Sequence, residues 1–120
     1  MRQRNNSRET ITVIVPLVNE QDGLEALQSR LVAVLETLGC NWDILFIDDG
    51  STDNTLSELK ELNSRDPRIR AVSLSRNFGK ERAVAAGLQY ASGDAAILMD
   101  GDLQHPPEVI PEFVQRWHEG

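Results

Sequence analysis

Hydrophobic positions along the chain follow two alternating periods. Thr10 to Val15 is a β-branched run that ends at Pro16 and predicts a buried strand. From Asn19 onward, Leu24, Leu27, Leu31, Val34, Leu35 and Leu38 recur at steps of three and four. They form the apolar face of a helix, which Gly39 stops in a left-handed cap. Trp42 to Ile47 predicts a second strand, and Leu56, Leu59 and Leu62 a shorter helix ending before Asp66 and Pro67. Ile69 to Leu74 reads as the third strand. Ala83, Val84, Ala86, Leu88 and Ala91 predict a helix whose small residues let it lie close to a sheet. Asp94 to Met99 supplies a fourth strand. The last element starts near Pro106 and Pro107 and carries Val109, Ile110, Phe113 and Trp117, a short turn followed by a helix from Pro111.

Strands that alternate with helices and are apolar throughout imply a parallel sheet covered on both faces. The expected fold is therefore α/β, a Rossmann-like three-layer α/β/α arrangement with a mostly parallel sheet. Right-handed crossovers bring the carboxyl ends of all strands to one edge. Segments 16–20, 48–53, 75–80 and 100–105 should gather there, where open α/β sheets bind ligands. A binding function is favoured over a purely structural one.

Composition narrows this further. The 120 residues are enough for one domain, and the longest apolar runs, such as Leu31 to Leu35 and Ala95 to Met99, fall far short of the ~20 residues that cross a bilayer. No membrane span is expected within the chain. Twelve Lys and Arg against 19 Asp and Glu give a formal charge of −7, which disfavours nucleic acid as a partner. The basic residues between Arg65 and Arg82 have no aromatic ladder beside them and read as a solvated face or a small anion site. The single Cys40 has no internal disulfide partner and reads as a structural thiol. Polar, Arg-rich residues 1–9 read as a flexible leader before a domain over 10–120.

The expected edge holds two acidic clusters, Asp48, Asp49 and Asp53, then Asp100 and Asp102. Carboxylates this close repel one another, and a divalent cation with a taste for hard oxygen ligands, magnesium or manganese, relieves the repulsion. Gln104 can add a neutral oxygen, whereas His105 beside Pro106 reads as a turn residue. Gly50 permits a tight turn, and Ser51 or Thr52 can cap the following helix. Asp48 and Asp49 can accept hydrogen bonds from a base or ribose, Glu20 suits a first helical turn, and Arg76 and Lys80 can meet phosphate or pair with acids. No G-x-G-x-x-G follows the first strand, 78–81 lacks the rest of a phosphate-binding P-loop, and no Ser or Cys sits in a nucleophile elbow.

Taken together, four segments resemble the family 2 glycosyltransferases of GT-A fold, and among them the polyprenol-phosphate sugar transferases. They are Val15-Pro16-Leu17-Val18-Asn19-Glu20, Asp48-Asp49-Gly50-Ser51-Thr52-Asp53, Arg76-Asn77-Phe78-Gly79-Lys80 and Asp100-Gly101-Asp102-Leu103-Gln104-His105-Pro106-Pro107-Glu108. Each is weak alone; four in order, each after an expected strand, are specific. The resemblance spans about residues 10 to 120 and implies a nucleotide-sugar site built from Pro16, Val18, Glu20, Asp48, Asp49, Ser51, Asp53, Lys80 and Asp100. It also implies that Asp100, Asp102 and Gln104 hold Mg2+ or Mn2+ against the diphosphate of a UDP- or GDP-sugar. The expected reaction is inverting transfer to a lipid phosphate such as a polyprenyl phosphate, at the cytoplasmic face of a membrane. Gly101 stands where the family often has alanine, which loosens the turn without removing a ligand.

The family's acceptor contacts and its base usually lie in a second half, so the chain reads as the nucleotide-sugar half of a longer enzyme, with the base outside it. Two other classes compete. A response-regulator receiver would use Asp48, Asp49 and Asp100, but needs two further strands and a lysine after Asp100. A haloacid-dehalogenase-like phosphatase would use Asp100 as nucleophile, but its motif opens the domain instead of closing it. A non-catalytic nucleotide-binding fragment is the third alternative.

Overall fold

The computed structural model describes residues 9–76, 78–91, 93–99 and 107–119, with the side chains of Lys80 and His118 left aside. Four strands, β1 (Thr10–Leu17), β2 (Asn41–Asp48), β3 (Ile69–Ser73) and β4 (Ala95–Leu98), alternate with helices α1 (Leu24–Leu35), α2 (Thr55–Arg65) and α3 (Lys80–Tyr90). A 3-10 turn at Pro107–Val109 leads into α4 (Ile110–Glu119). All pairings are parallel, in the order β3-β2-β1-β4. The chain steps outward from β1 to β2 to β3, then crosses back over β1 to place β4 on its far side. With right-handed crossovers that reversal of direction puts α3 on the opposite face from α1 and α2. The expected α/β/α layering is what forms.

The central strands are apolar because both of their faces are covered. Ile11, Val13 and Val15 of β1, with Ile44 and Phe46 of β2, face a core completed by Leu24, Leu27, Leu31 and Leu35 of α1, Leu59 and Leu62 of α2, and Ile110 and Val114 of α4. The four α1 leucines are essentially inaccessible, and each contributes roughly 2 kcal/mol by leaving water. On the other face Ile14, Leu45 and Ile47 pack under Ala83 of α3. This layer is thin: a Cβ added to Gly87 would fall well inside contact of Ile14 Cγ2 and 3.4 Å from Ile47 Cγ1. The small residues of α3 therefore do what their pattern suggests, bringing a helix backbone down onto the sheet.

Several boundaries and faces differ from expectation. Pro16 lies inside β1 and does not end it. Among the described residues β4 pairs with β1 over Ile11 to Ile14, so Pro16 opposes Ile47 of β2 and its missing N–H breaks no described ladder on the other side. β3 and β4 alternate in burial because they are sheet edges. Leu88 faces solvent although its spacing matches the buried stripe, since Ala83 and Gly87 already define the face against the sheet. Phe113 and Trp117 are likewise exposed; with Leu98 they flank an apolar groove of about 380 Å3 between β4 and α4. Gly39 is left-handed as expected (φ 75°), four residues beyond the last residue of α1.

Candidate functional site

The four parallel strands point their carboxyl ends to one edge, where the loops after β1, β2 and β3 meet. The loops after β1 and β2 are fastened together by side chains accepting backbone N–H groups. Asn19, in a left-handed conformation (φ 53°), accepts from the N–H groups of Thr52 at 2.8 Å and Asp53 at 3.3 Å through its Oδ1. Its own N–H donates to Ser51 Oγ at 2.8 Å, and the Ser51 hydroxyl in turn donates to Asp48 Oδ1. Glu20 N–H donates to Thr55 Oγ1 at 2.9 Å, Gln21 Oε1 accepts Asn54 N–H at 2.7 Å, and Asp53 Oδ1 accepts both Thr55 N–H at 2.9 Å and the Thr55 hydroxyl at 2.6 Å. Neither Ser51 nor Thr52 caps α2: the N-cap is Asn54, Asp53 before it accepts the first helical N–H, and Ser51 serves the aspartate at the end of β2. Glu20 precedes α1 by several residues and lies outside its first turn.

Asp48 and Asp49 are both buried, at 1% and 5% exposure, yet they serve different neighbours. Asp48, the last residue of β2, receives Ser51 and lines a cleft of about 530 Å3. The other walls are Gly50, Thr52 and Leu56 on one side and Ser73, Leu74, Ser75 and Arg76 after β3 on the other. Asp49 instead receives Phe78 N–H on Oδ1 at 2.8 Å and Gly79 N–H on Oδ2 at 3.1 Å. A buried carboxylate demands such partners, and both oxygens here find them in main-chain donors.

The expected site residues therefore divide. Asp48 and Ser51 line the cleft; Pro16 is buried in β1, and Val18, Glu20 and Asp53 lie in the loops beside it. The backbone of Lys80 opens α3, but its side chain, like Asp100, Asp102 and Gln104, lies outside the described residues, as do residues 1–8 of the expected leader and His105. Among the described residues no three His, Cys, Asp or Glu side chains gather as metal ligands. Asn19, Gln21 and Thr55 are the residues that sequence reasoning left unassigned, and their partners stand more than thirty positions away.

Within the basic stretch, Arg68 and Arg70 pair with acids. Arg68 stacks on Trp42 with 3.8 Å to the ring centroid and bridges Asp66 and Glu36, holding the Asp66 carboxyl below its ordinary range. Arg70 binds Asp43 at 2.8 Å. Arg76 lies over the Phe78 ring at 4.8 Å and is among the residues that line the cleft. Cys40 is half-buried, and burial, then the nearby Glu9, pushes its thiol pKa up, in keeping with a structural role.

The Asp53 carboxyl is held below its usual range, chiefly by the Thr55 hydroxyl. A lowered folded-state value means that its stabilisation is complete above the ordinary aspartate value of about 3.9 and disappears as pH falls through the folded value. Asp53→Asn is expected to flatten the loss of stability below about pH 4. Urea unfolding followed from pH 7 to pH 2 checks this; an unchanged acid limb would remove Asp53 from the account.

Comparison with known proteins covers nearly the whole chain. Residues 12–120 match the family model described as glycosyl transferase family 2. An uncharacterized glycosyltransferase, sll0501, of Synechocystis is 46% identical over 110 residues, 92% of this chain and 35% of its own length. The undecaprenyl-phosphate 4-deoxy-4-formamido-L-arabinose transferase of Salmonella paratyphi A is 42% identical over 111 residues, 92% of this chain and 34% of its own. Among solved structures, glucosyl-3-phosphoglycerate synthase of Mycobacterium tuberculosis with Mn2+, UDP and phosphoglyceric acid superposes with a TM-score of 0.69 at 26% identity, over 93% of this chain and 40% of that one. The mannosyltransferase PcManGT of Pyrobaculum calidifontis, in complex with GDP-Man and Mn2+, shares the fold at a TM-score of 0.70 and 23% identity, over 90% of this chain and 32% of that one. The chain spans about a third of the length of the curated relatives it matches.

Proposed function

The chain belongs to glycosyl transferase family 2, and from that premise we propose that it is the nucleotide-sugar-binding part, residues 10–120, of a transferase that passes a sugar from a UDP- or GDP-sugar to a polyprenyl phosphate. The observation that carries the reading is the cleft between the ends of β2 and β3. Its lining includes a buried acidic residue, Asp48, and a basic one, Arg76. An acceptor-only group in a recess suits the N–H of a base or the O–H of a ribose, and a cation beside it suits the attached phosphates. Pro16, Val18, Glu20, Ser51 and Asp53 shape the neighbouring loops, and Lys80 opens the helix that follows Arg76. The donor class is supported by the neighbours crystallised with GDP-Man or UDP, and the acceptor by the undecaprenyl-phosphate relative.

β4 runs parallel to β1, so the chain leaves it toward the edge that carries the cleft. Asp100, Asp102 and Gln104 follow directly. Two carboxylates and an amide oxygen form a hard donor set that fits Mg2+ or Mn2+, and both solved neighbours named above hold Mn2+. When bound, the ion neutralises the charge that develops on the departing nucleoside diphosphate. The chain's own contribution is to bind and orient the donor; the base that accepts the acceptor's proton belongs to the rest of the enzyme. No helix among the described residues is long and apolar enough to cross a membrane, and work at the cytoplasmic face would be done from the surface by this part.

Calorimetric titration with UDP and with GDP in the presence of manganese tests the reading. One nucleotide should bind, and Asp102→Ala should weaken that binding at least tenfold, or about 1.4 kcal/mol. A folded chain that binds neither, or binding indifferent to Asp102→Ala, would overturn it.

A further inference from the structure

We propose that the outer edge of β4 is the seat of a further strand, supplied by the part of the enzyme outside this chain, whose apolar side chains fill the groove beside α4. This rests on membership of the family and not on the nucleotide-binding reading. The sheet has two outer strands, and they are built differently. β3 carries Arg70, which binds Asp43 at 2.8 Å, and ends on the exposed Ser73; charged and polar side chains are what blunt an edge that stays open. β4 is Ala-Ala-Ile-Leu, apolar at every position, which is the composition of a strand covered on both faces.

Among the described residues β4 pairs with β1 alone. Met99 donates its N–H to Ile14 O at 2.9 Å, and alternation along the strand then turns the main-chain groups of Ala96 and Leu98 to the outer edge. The register places Ala95 and Ile97 opposite Ile11 and Val13 on the α4 side, and Leu98 opposite Ile14 on the α3 side. The groove of about 380 Å3 lies against Ile97, Phe113 and Trp117, and Leu98 flanks it from the other side. Phe113 is 47% exposed, Trp117 38% and Leu98 49%. An added strand meets all of this at once. Its main chain pairs with Ala96 and Leu98, alternate side chains enter the groove, and the others cover Leu98. Other occupants meet less of it. A lipid tail would fill the groove but leave the main-chain groups of the edge without partners. Residues 1–8 include Arg2, Arg4 and Arg8 and are too polar for the groove, and a second copy offers only an equal edge of four residues. The matched stretch is 35% of the Synechocystis relative and 34% of the Salmonella one, so these relatives have ample further chain to supply a strand.

Maleimide labelling of an introduced cysteine reads the cover. Leu98→Cys and Phe113→Cys, each combined with Cys40→Ser, are made in this chain and compared with cysteines at the aligned positions of the full-length Synechocystis relative, with the labelled peptides identified by mass spectrometry. In this chain both should react nearly as fast as in urea, and in the relative both should react about a hundredfold more slowly. Fast labelling at either position in the relative would overturn the proposal. Shielding at the Phe113 position alone is such a case, and would give the groove to an occupant other than a strand. Labelling of this chain that slows as its concentration rises would assign the edge to a second copy and overturn the proposal likewise. Should a cysteine variant not fold, amide exchange in the unaltered proteins decides. Ala96 and Leu98 should exchange fast in this chain and their counterparts slowly in the relative, and equal rates would overturn the proposal. No nucleotide enters these measurements, so a chain that binds neither UDP nor GDP defeats the functional reading alone.

Discussion

Gly87→Ala is expected to lower stability by about 2 kcal/mol, opposite in sign to its effect in an exposed helix. In a free helix the change gains up to about 1 kcal/mol by restricting the unfolded backbone. Here the new methyl group would collide with Ile14 Cγ2 and touch Ile47 Cγ1 at 3.4 Å. Neither side chain can give way. Ile14 is β-branched and fully buried on the central strand, beside Leu45 and Ile47. The helix must lift instead, opening a gap along the layer that Ala83 seals, and overpacking of this kind costs about 1–3 kcal/mol, occasionally more, before the propensity gain is subtracted. A urea titration reads the result as a lower midpoint with unchanged slope. A higher midpoint would mean that α3 does not lie where described.

Asn19→Ala carries the second large effect, about 3 kcal/mol, from two sources that can be separated. The left-handed backbone at φ 53° costs alanine about 1–2 kcal/mol, whereas asparagine tolerates it. The lost Oδ1 leaves the N–H groups of Thr52 and Asp53 to solvent, at roughly 1 kcal/mol each. Asn19→Gly removes the backbone cost alone and should recover about 1–2 kcal/mol of the loss. Both variants release the loop that aligns Ser51 with Asp48, so both should bind nucleotide more weakly, by similar factors. Unfolding curves and titrations on the pair decide the matter: variants that bind like the wild-type chain would show that Asn19 serves the fold and not the cleft.

Legibility followed the range of each interaction. The leucines of α1 and the β-branched residues of β1 announce themselves because their burial depends on local period alone. Phe113, Trp117 and Leu88 fit the same periods and are nonetheless exposed, because period fixes a stripe but not its neighbour. Pro16 reads locally as a strand end, but it lies inside β1 beyond the described ladder with β4, which local sequence does not reveal. The acidic pair was recognisable as site chemistry, and strand alternation already separates its two members, yet which one meets the cleft depends on Phe78 and Gly79, about thirty residues on. The links from Asn19 to Ser51 and from Gln21 to Asn54 were invisible for the same reason. They need the sheet to exist before the residues can meet.

The strand order also dictates a sequence of assembly. β1, β2 and β3 are neighbours both along the chain and across the sheet, so each pairing closes a modest loop. β4 must return past all of them, with Thr10 meeting Asp94 at a separation of 84 residues. Closure of so long a loop is slow, and the strand ladder that it gains, from Ile11 to Ile14, is short. The cleft between β2 and β3 is therefore complete in a chain that has not yet docked β4, and the strand that leads to Asp100 arrives last. In a growing polypeptide, the cleft between β2 and β3 would precede the strand that leads to Asp100.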